Sequence, residues 1–204
     1  METKFAKGIS YLFHPLLMPL YGTLLVFYIN LDSYFIIPIS LKLFVISMIL
    51  NSTFFMPVLG SMLMLRNGYV KSLTLTEKEE RRIPFLLTAV FYLLNFYILN
   101  KFEVMSSLKF FLLGSCVAIV ASVIVSFFWK ISVHMIGIGG IVGVLVGLSF
   151  RLGLDLYYLI IPAVLVTGII GFARLKLNAH SPAQVYVGFL LGLFSELGLF
   201  LTLH

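Results

Sequence analysis

Apolar residues fall along this chain in stretches of about twenty, separated by short polar breaks, rather than at every second or every third and fourth position. About 20 consecutive apolar residues carry an α-helix across a bilayer. Seven such stretches occur, at approximately 8–29, 38–65, 84–100, 107–128, 132–150, 155–172 and 182–203. The pattern predicts an all-α fold, a polytopic membrane helical bundle of six to seven transmembrane helices. The breaks are too short for linkers, so residues 1–204 form a single integral membrane domain. In the fifth stretch Gly139, Gly143 and Gly147 recur every fourth position, and Gly188 and Gly192 repeat the spacing in the last. Small residues at that spacing share one helix face and let backbones approach closely, so these glycines are expected to pack helices.

Composition agrees. Of 204 residues, 61% are hydrophobic and 11% charged, whereas a soluble domain carries about 25% charged residues to coat its surface. The N-terminal Lys4 and Lys7 precede an apolar run, as in a signal peptide. No small-residue cleavage site follows promptly, and Pro15 and Pro19 interrupt the run, so it reads as a retained first helix. The single cysteine, Cys116, excludes a disulfide framework within one chain. A net charge of +6 without any aromatic-basic motif points away from nucleic acid and towards anionic headgroups or phosphates.

Three breaks carry unusual chemistry: Thr76 to Pro84, with Lys78, Arg81 and Arg82; Trp129 to His134; and Ala173 to Gln184. On a seven-helix count, even numbers of helices separate them, which puts all three at one membrane face. Ser132 reads as an N-cap, placing His134 in a first helical turn, where free N–H groups and the helix dipole favour an anion. Ser181 and Gln184 have capping-box spacing with Pro182 at the first helical position, so His180 immediately precedes another helix. Two imidazoles at positive helix ends, with Arg174 and a basic segment, form a cradle for a phosphoryl group. One histidine can attack phosphorus while the other protonates the leaving oxygen. Read singly, the basic segment is topology, each histidine an interfacial residue and Gln184 a capping partner; their joint occurrence at one face favours a site. His14, beside Pro15, is either a kinked packing position or a site group. Asn51, Ser52 and Thr53 before Pro57 are expected to supply hydrogen bonds at a helix break.

These residues resemble the type 2 phosphatidic acid phosphatase superfamily of membrane lipid phosphatases, related to glucose-6-phosphatase, over roughly residues 76–192. Its third motif, Ser-Arg-x5-His-x3-Asp, is matched in spacing by Arg174, His180 and Gln184, with Ala173 for serine and glutamine for aspartate. The second, Pro-Ser-Gly-His, is matched by Ser132 and His134, with Ile131 and Val133 at the other positions. The first, Lys-x6-Arg-Pro, is approached by Lys78, Arg81, Arg82 and Pro84. The resemblance implies His180 as nucleophile, His134 as general acid and Gln184 as the group orienting His180. Arg174, Lys78, Arg81, Arg82 and Ser132 would bind the substrate phosphate. A glutamine in this place, which glucose-6-phosphatase shares, keeps orientation but lacks a carboxylate's charge support.

The expectation is a metal-independent phosphohydrolase acting on a lipid phosphate or a polyprenyl or lipid pyrophosphate through a phosphohistidine. The alternatives are a lipid phosphotransferase and a non-catalytic lipid-binding membrane protein. No cofactor is expected, since there is no phosphate-binding glycine loop, magnesium-type acid cluster or zinc-ligand spacing. The partners are a membrane lipid phosphate and the bilayer. The basic residues favour the motif side, which would face the cytoplasm across the cell membrane, but four of them are candidate phosphate ligands and the bias is small.

Overall fold

A computed structural model describes residues 2–29, 37–71, 79–102 and 104–202 of the chain. Among these residues there are helices and no strand, and seven segments are long and apolar enough to cross a membrane. The chain is thus an integral membrane protein.

The first segment is broken. Helix α1 (Glu2–Leu12) stops at His14, whose extended backbone (φ −63°, ψ 135°) is the conformation a following proline imposes. A short 3₁₀ turn at Pro15–Leu17 leads into α2 (Met18–Ile29). The two halves differ in character. Helix α2 is apolar all round, whereas α1 has three faces. Ala6 and Ser10 are buried against the bundle, Phe5 and Leu12 are exposed and apolar, and Lys4 and Lys7 are exposed and charged. A helix with that arrangement suits the boundary between hydrocarbon and headgroups.

Helices α3 (Ile39–Leu50) and α4 (Met56–Arg66) form the second segment, joined by a π-helical turn at Asn51–Phe55. The expected hydrogen bonds are there. Thr53 Oγ1 bonds the Ile49 carbonyl at 2.9 Å, and Ser52 pairs with Asn95 of α5 (Arg82–Leu99) at 2.6 Å. The remaining spans are α6 (Ser106–Phe128), α7 (Val133–Leu152), α8 (Tyr157–Lys176) and α9 (Pro182–Thr202).

Helices α7 and α9 run parallel and in the closest contact of any pair, and the glycine rows explain why. A methyl group added at Gly139 or Gly143 would meet the carbonyls of Phe189 and Leu193; one added at Gly188 or Gly192 would meet those of Ser132 and Ile136. Only hydrogen at these positions allows backbone-to-backbone approach. The N-termini of the pair are also joined, Ser132 N–H donating to the Gln184 carbonyl at 3.4 Å. That junction sets the floor of the site.

Candidate functional site

The polar breaks converge on one end of the bundle. Helix α8 ends where Asn178 takes a left-handed conformation (φ 50°), which asparagine tolerates better than most residues. Ala179 N–H then caps the Arg174 carbonyl at 3.1 Å. This turn fills the gap between Arg174 and His180. The chain next enters α9 through the expected capping box: Gln184 N–H donates to Ser181 Oγ at 3.4 Å, and Ser181 N–H donates to Gln184 Oε1 at 3.2 Å.

The same Gln184 Oε1 lies 3.1 Å from His180 Nδ1. Because an N–H donor already faces this end of the amide, it must be the oxygen, which only accepts. Neutral His180 therefore carries its proton on Nδ1 and its lone pair on Nε2. Gln184 both caps the helix and orients the imidazole, so its two sequence readings are compatible. His180 is buried, and burial pulls its pKa from 6.5 to about 4; the Gln184 hydrogen bond opposes the shift, while Arg81, Arg174 and Lys130 add to it. At neutral pH the ring is uncharged, and three cations from three separate segments oppose its protonation.

Arg81 is buried at the start of α5 and donates from Nη1 to the Ile131 carbonyl at 3.1 Å, tying the first break to the second. Its neighbour Arg82 points elsewhere, with its guanidinium 4.5 Å above the Phe127 ring. Successive helical residues are turned by about 100°, and here the two guanidiniums diverge. Lys78 lies outside the described residues. Ser132 is fully buried at the backbone N-cap of α7, yet its hydroxyl makes no capping bond and, among the described residues, has no hydrogen-bond partner. The N-cap position expected from sequence is there; the side-chain bond is not.

His134 is half-buried in the first turn of α7, and its Nε2 lies 3.1 Å from the Ser10 carbonyl of α1. A carbonyl only accepts, so neutral His134 carries its proton on Nε2. Arg174 donates from Nη1 to Ser10 Oγ at 3.0 Å, while its Nε is buried without a partner. Beyond Ser10, the ion pair between Lys176 and Glu2 fastens α1 to the end of α8. His14 completes the cluster, its ring 5.9 Å from that of His134 and its Nδ1 accepting the Leu16 N–H at 3.3 Å.

The structure places His134, His180, Gln184, Arg174, Arg81 and Ser132 at one end of the bundle. Sequence reasoning gave no role to Ser10 or Lys130 and left His14 undecided. The polar residue next to Pro15 was the one available signal for His14. Among the described residues, no group of histidines, cysteines and acids is arranged to hold a metal ion.

Neither a family model, nor a curated protein, nor a solved structure matches the chain. Functional argument therefore rests on the site.

Proposed function

We propose that this chain is a membrane phosphohydrolase that removes phosphate from a lipid phosphate or a polyprenyl or lipid pyrophosphate. One observation carries the reading: a buried, neutral imidazole, oriented by Gln184 with its Nε2 lone pair free of that bond, lies within the electrostatic field of Arg81, Arg174 and Lys130. Phosphoryl transfer needs mainly a positioned nucleophile and positive charge around the equatorial oxygens.

In this scheme His180 Nε2 bonds to phosphorus as the bond from phosphorus to the lipid oxygen breaks. His134, acting as the imidazolium, gives that oxygen a proton and becomes neutral. Water then gives a proton to His134 and attacks the phosphohistidine, breaking the bond from Nε2 to phosphorus, releasing phosphate and restoring both histidines. The Ser132 hydroxyl and Arg174 Nε, both buried without partners, are donors suited to phosphate oxygens. More basic residues lie at this end than at the other, which favours the cytoplasmic face of the cell membrane.

A second reading draws on the bond from His134 Nε2 to the Ser10 carbonyl. Before protonating a leaving group, this N–H must leave Ser10. If it does not, the cradle binds lipid phosphates without turning them over. Phosphate release from a panel of lipid phosphates by the purified chain, with His180→Ala as control, tests the proposal. Release by the wild type alone supports it; no release, with retained binding of the lipid phosphate, favours the second reading. Transfer of phosphate to a lipid hydroxyl instead of water would identify a phosphotransferase.

A further inference from the structure

Glu196 lies two-thirds of the way along α9 and is 1% exposed. Its Oε1 accepts a hydrogen bond from Ser115 of α6 at 3.0 Å, while its Oε2 is buried with no hydrogen-bond partner among the described residues. Among the described residues, no cationic side chain acts on it. Neighbouring helices make room for this carboxyl: a methyl group at Gly114 would collide with it, and one at Gly140 would touch its Cγ. An unpaired acid within a membrane is expensive and marks a functional site by default.

The carboxyl borders a partly open cavity of about 60 Å³ lined by α2, α5, α6 and α7, whose walls include Tyr92, Phe111, Ser115 and Ser122. At one end it reaches Pro15 and Val133, the neighbours of His14 and His134. At roughly 10–15 Å³ per water-sized probe, that volume takes about four waters or one small organic group. The wall chemistry selects among cations. A divalent metal ion brings two charges and is held by several anionic or carbonyl oxygens, whereas this lining supplies a single carboxylate. An alkylammonium requires only a counter-ion and aromatic surface, and Glu196 with Tyr92 and Phe111 supplies both.

We propose that this cavity binds a small organic ammonium group, with the Glu196 carboxylate as its counter-ion. The site is independent of phosphate chemistry. The ligand is either a soluble amine or the amine of a lipid headgroup.

The test is equilibrium dialysis of radiolabelled methylammonium against the full chain in nanodiscs of phosphatidylglycerol, which brings no amine of its own. Saturable binding of one methylammonium per chain is expected, with weakening of tenfold or more in Glu196→Gln. That is the scale of losing a charge-assisted hydrogen bond. Glutamine can still accept from Ser115, which favours folding of the variant. Ala118→Leu fills the cavity from another wall, leaves the carboxyl in place and should also abolish binding. His180→Ala should bind as the wild type does, so this result stands or falls apart from phosphate turnover. Competition when phosphatidylethanolamine is added to the nanodisc identifies a headgroup as the source, its absence a soluble amine; both support the site. No saturable binding, equal binding by Glu196→Gln, or equal displacement by sodium or by neutral ethane-sized alcohols would overturn it.

Discussion

Gln184 Oε1 accepts two hydrogen bonds at once, from His180 Nδ1 at 3.1 Å and from the Ser181 backbone N–H at 3.2 Å. One oxygen thereby ties the start of α9 to the orientation of the imidazole before it. Substitutions at 184 should consequently act on stability and turnover together.

Gln184→Leu removes both bonds. Loss of the cap should cost about 1 kcal/mol of stability. Loss of the imidazole's partner should slow phosphate release by roughly ten- to a hundredfold. Gln184→Glu keeps the acceptor and adds charge, which favours the imidazolium, so it should retain turnover with its acid limb moved to higher pH. Thermal melting and pH–rate curves of the two variants check this; wild-type turnover in Gln184→Leu would reduce the glutamine to a cap.

The His180 pKa of about 4 gives two pH dependences. An attacking imidazole must be neutral, so the acid limb of kcat/KM should lie near 4 instead of 6.5. The ring's folded pKa lies below its unfolded value of 6.5. As pH falls from 6.5 towards 4, the unfolded chain gains a proton that the folded chain does not take up. Stability fully present above pH 6.5 is therefore lost across that window. Melting of wild type beside His180→Gln should show the wild type losing more on acidification; parallel losses would contradict the assignment.

Ser132→Ala separates binding from folding. The hydroxyl has no hydrogen-bond partner, so its removal should leave the melting temperature nearly unchanged. If it donates to a phosphate oxygen, KM should rise by about three- to tenfold, the scale of one neutral hydrogen bond. A marked fall in melting temperature with unchanged KM would make Ser132 a structural residue.

Gly192→Ala should act through packing. The added methyl group would overlap the Ile136 carbonyl of α7, and overpacking of a tight core costs about 1–3 kcal/mol. Gly198→Ala, where nothing lies within 4 Å, is the control on the same helix. Melting of the two variants in one detergent gives the comparison.

Local signals made much of this molecule readable. Runs of apolar residues located the spans, and the spacing of Ser181, Pro182 and Gln184 located the start of α9. Adjacent Arg81 and Arg82 were not separable in sequence, since which of them faces Ile131 and which Phe127 depends on the phase of α5. Ser10 is an ordinary helical serine until α1 folds onto α8, a contact between residues 164 positions apart. Glu196 looks like an incidental acid near the end of an apolar run; only the glycines of two other helices reveal that space is kept for it.

The glycine contacts between α7 and α9 have a mechanical consequence. Both helices end at the site, one carrying His134 and the other led by His180, and backbone against backbone leaves them no slack. They form one wall of the site, with His134 in the first turn of α7 and His180 just before α9. Across from it, α1 hangs from a proline joint at His14–Pro15 and is held shut by Ser10 and Glu2. One side of the site is thus held by backbones in contact, and the other by the hydrogen bonds and ion pair of a few side chains.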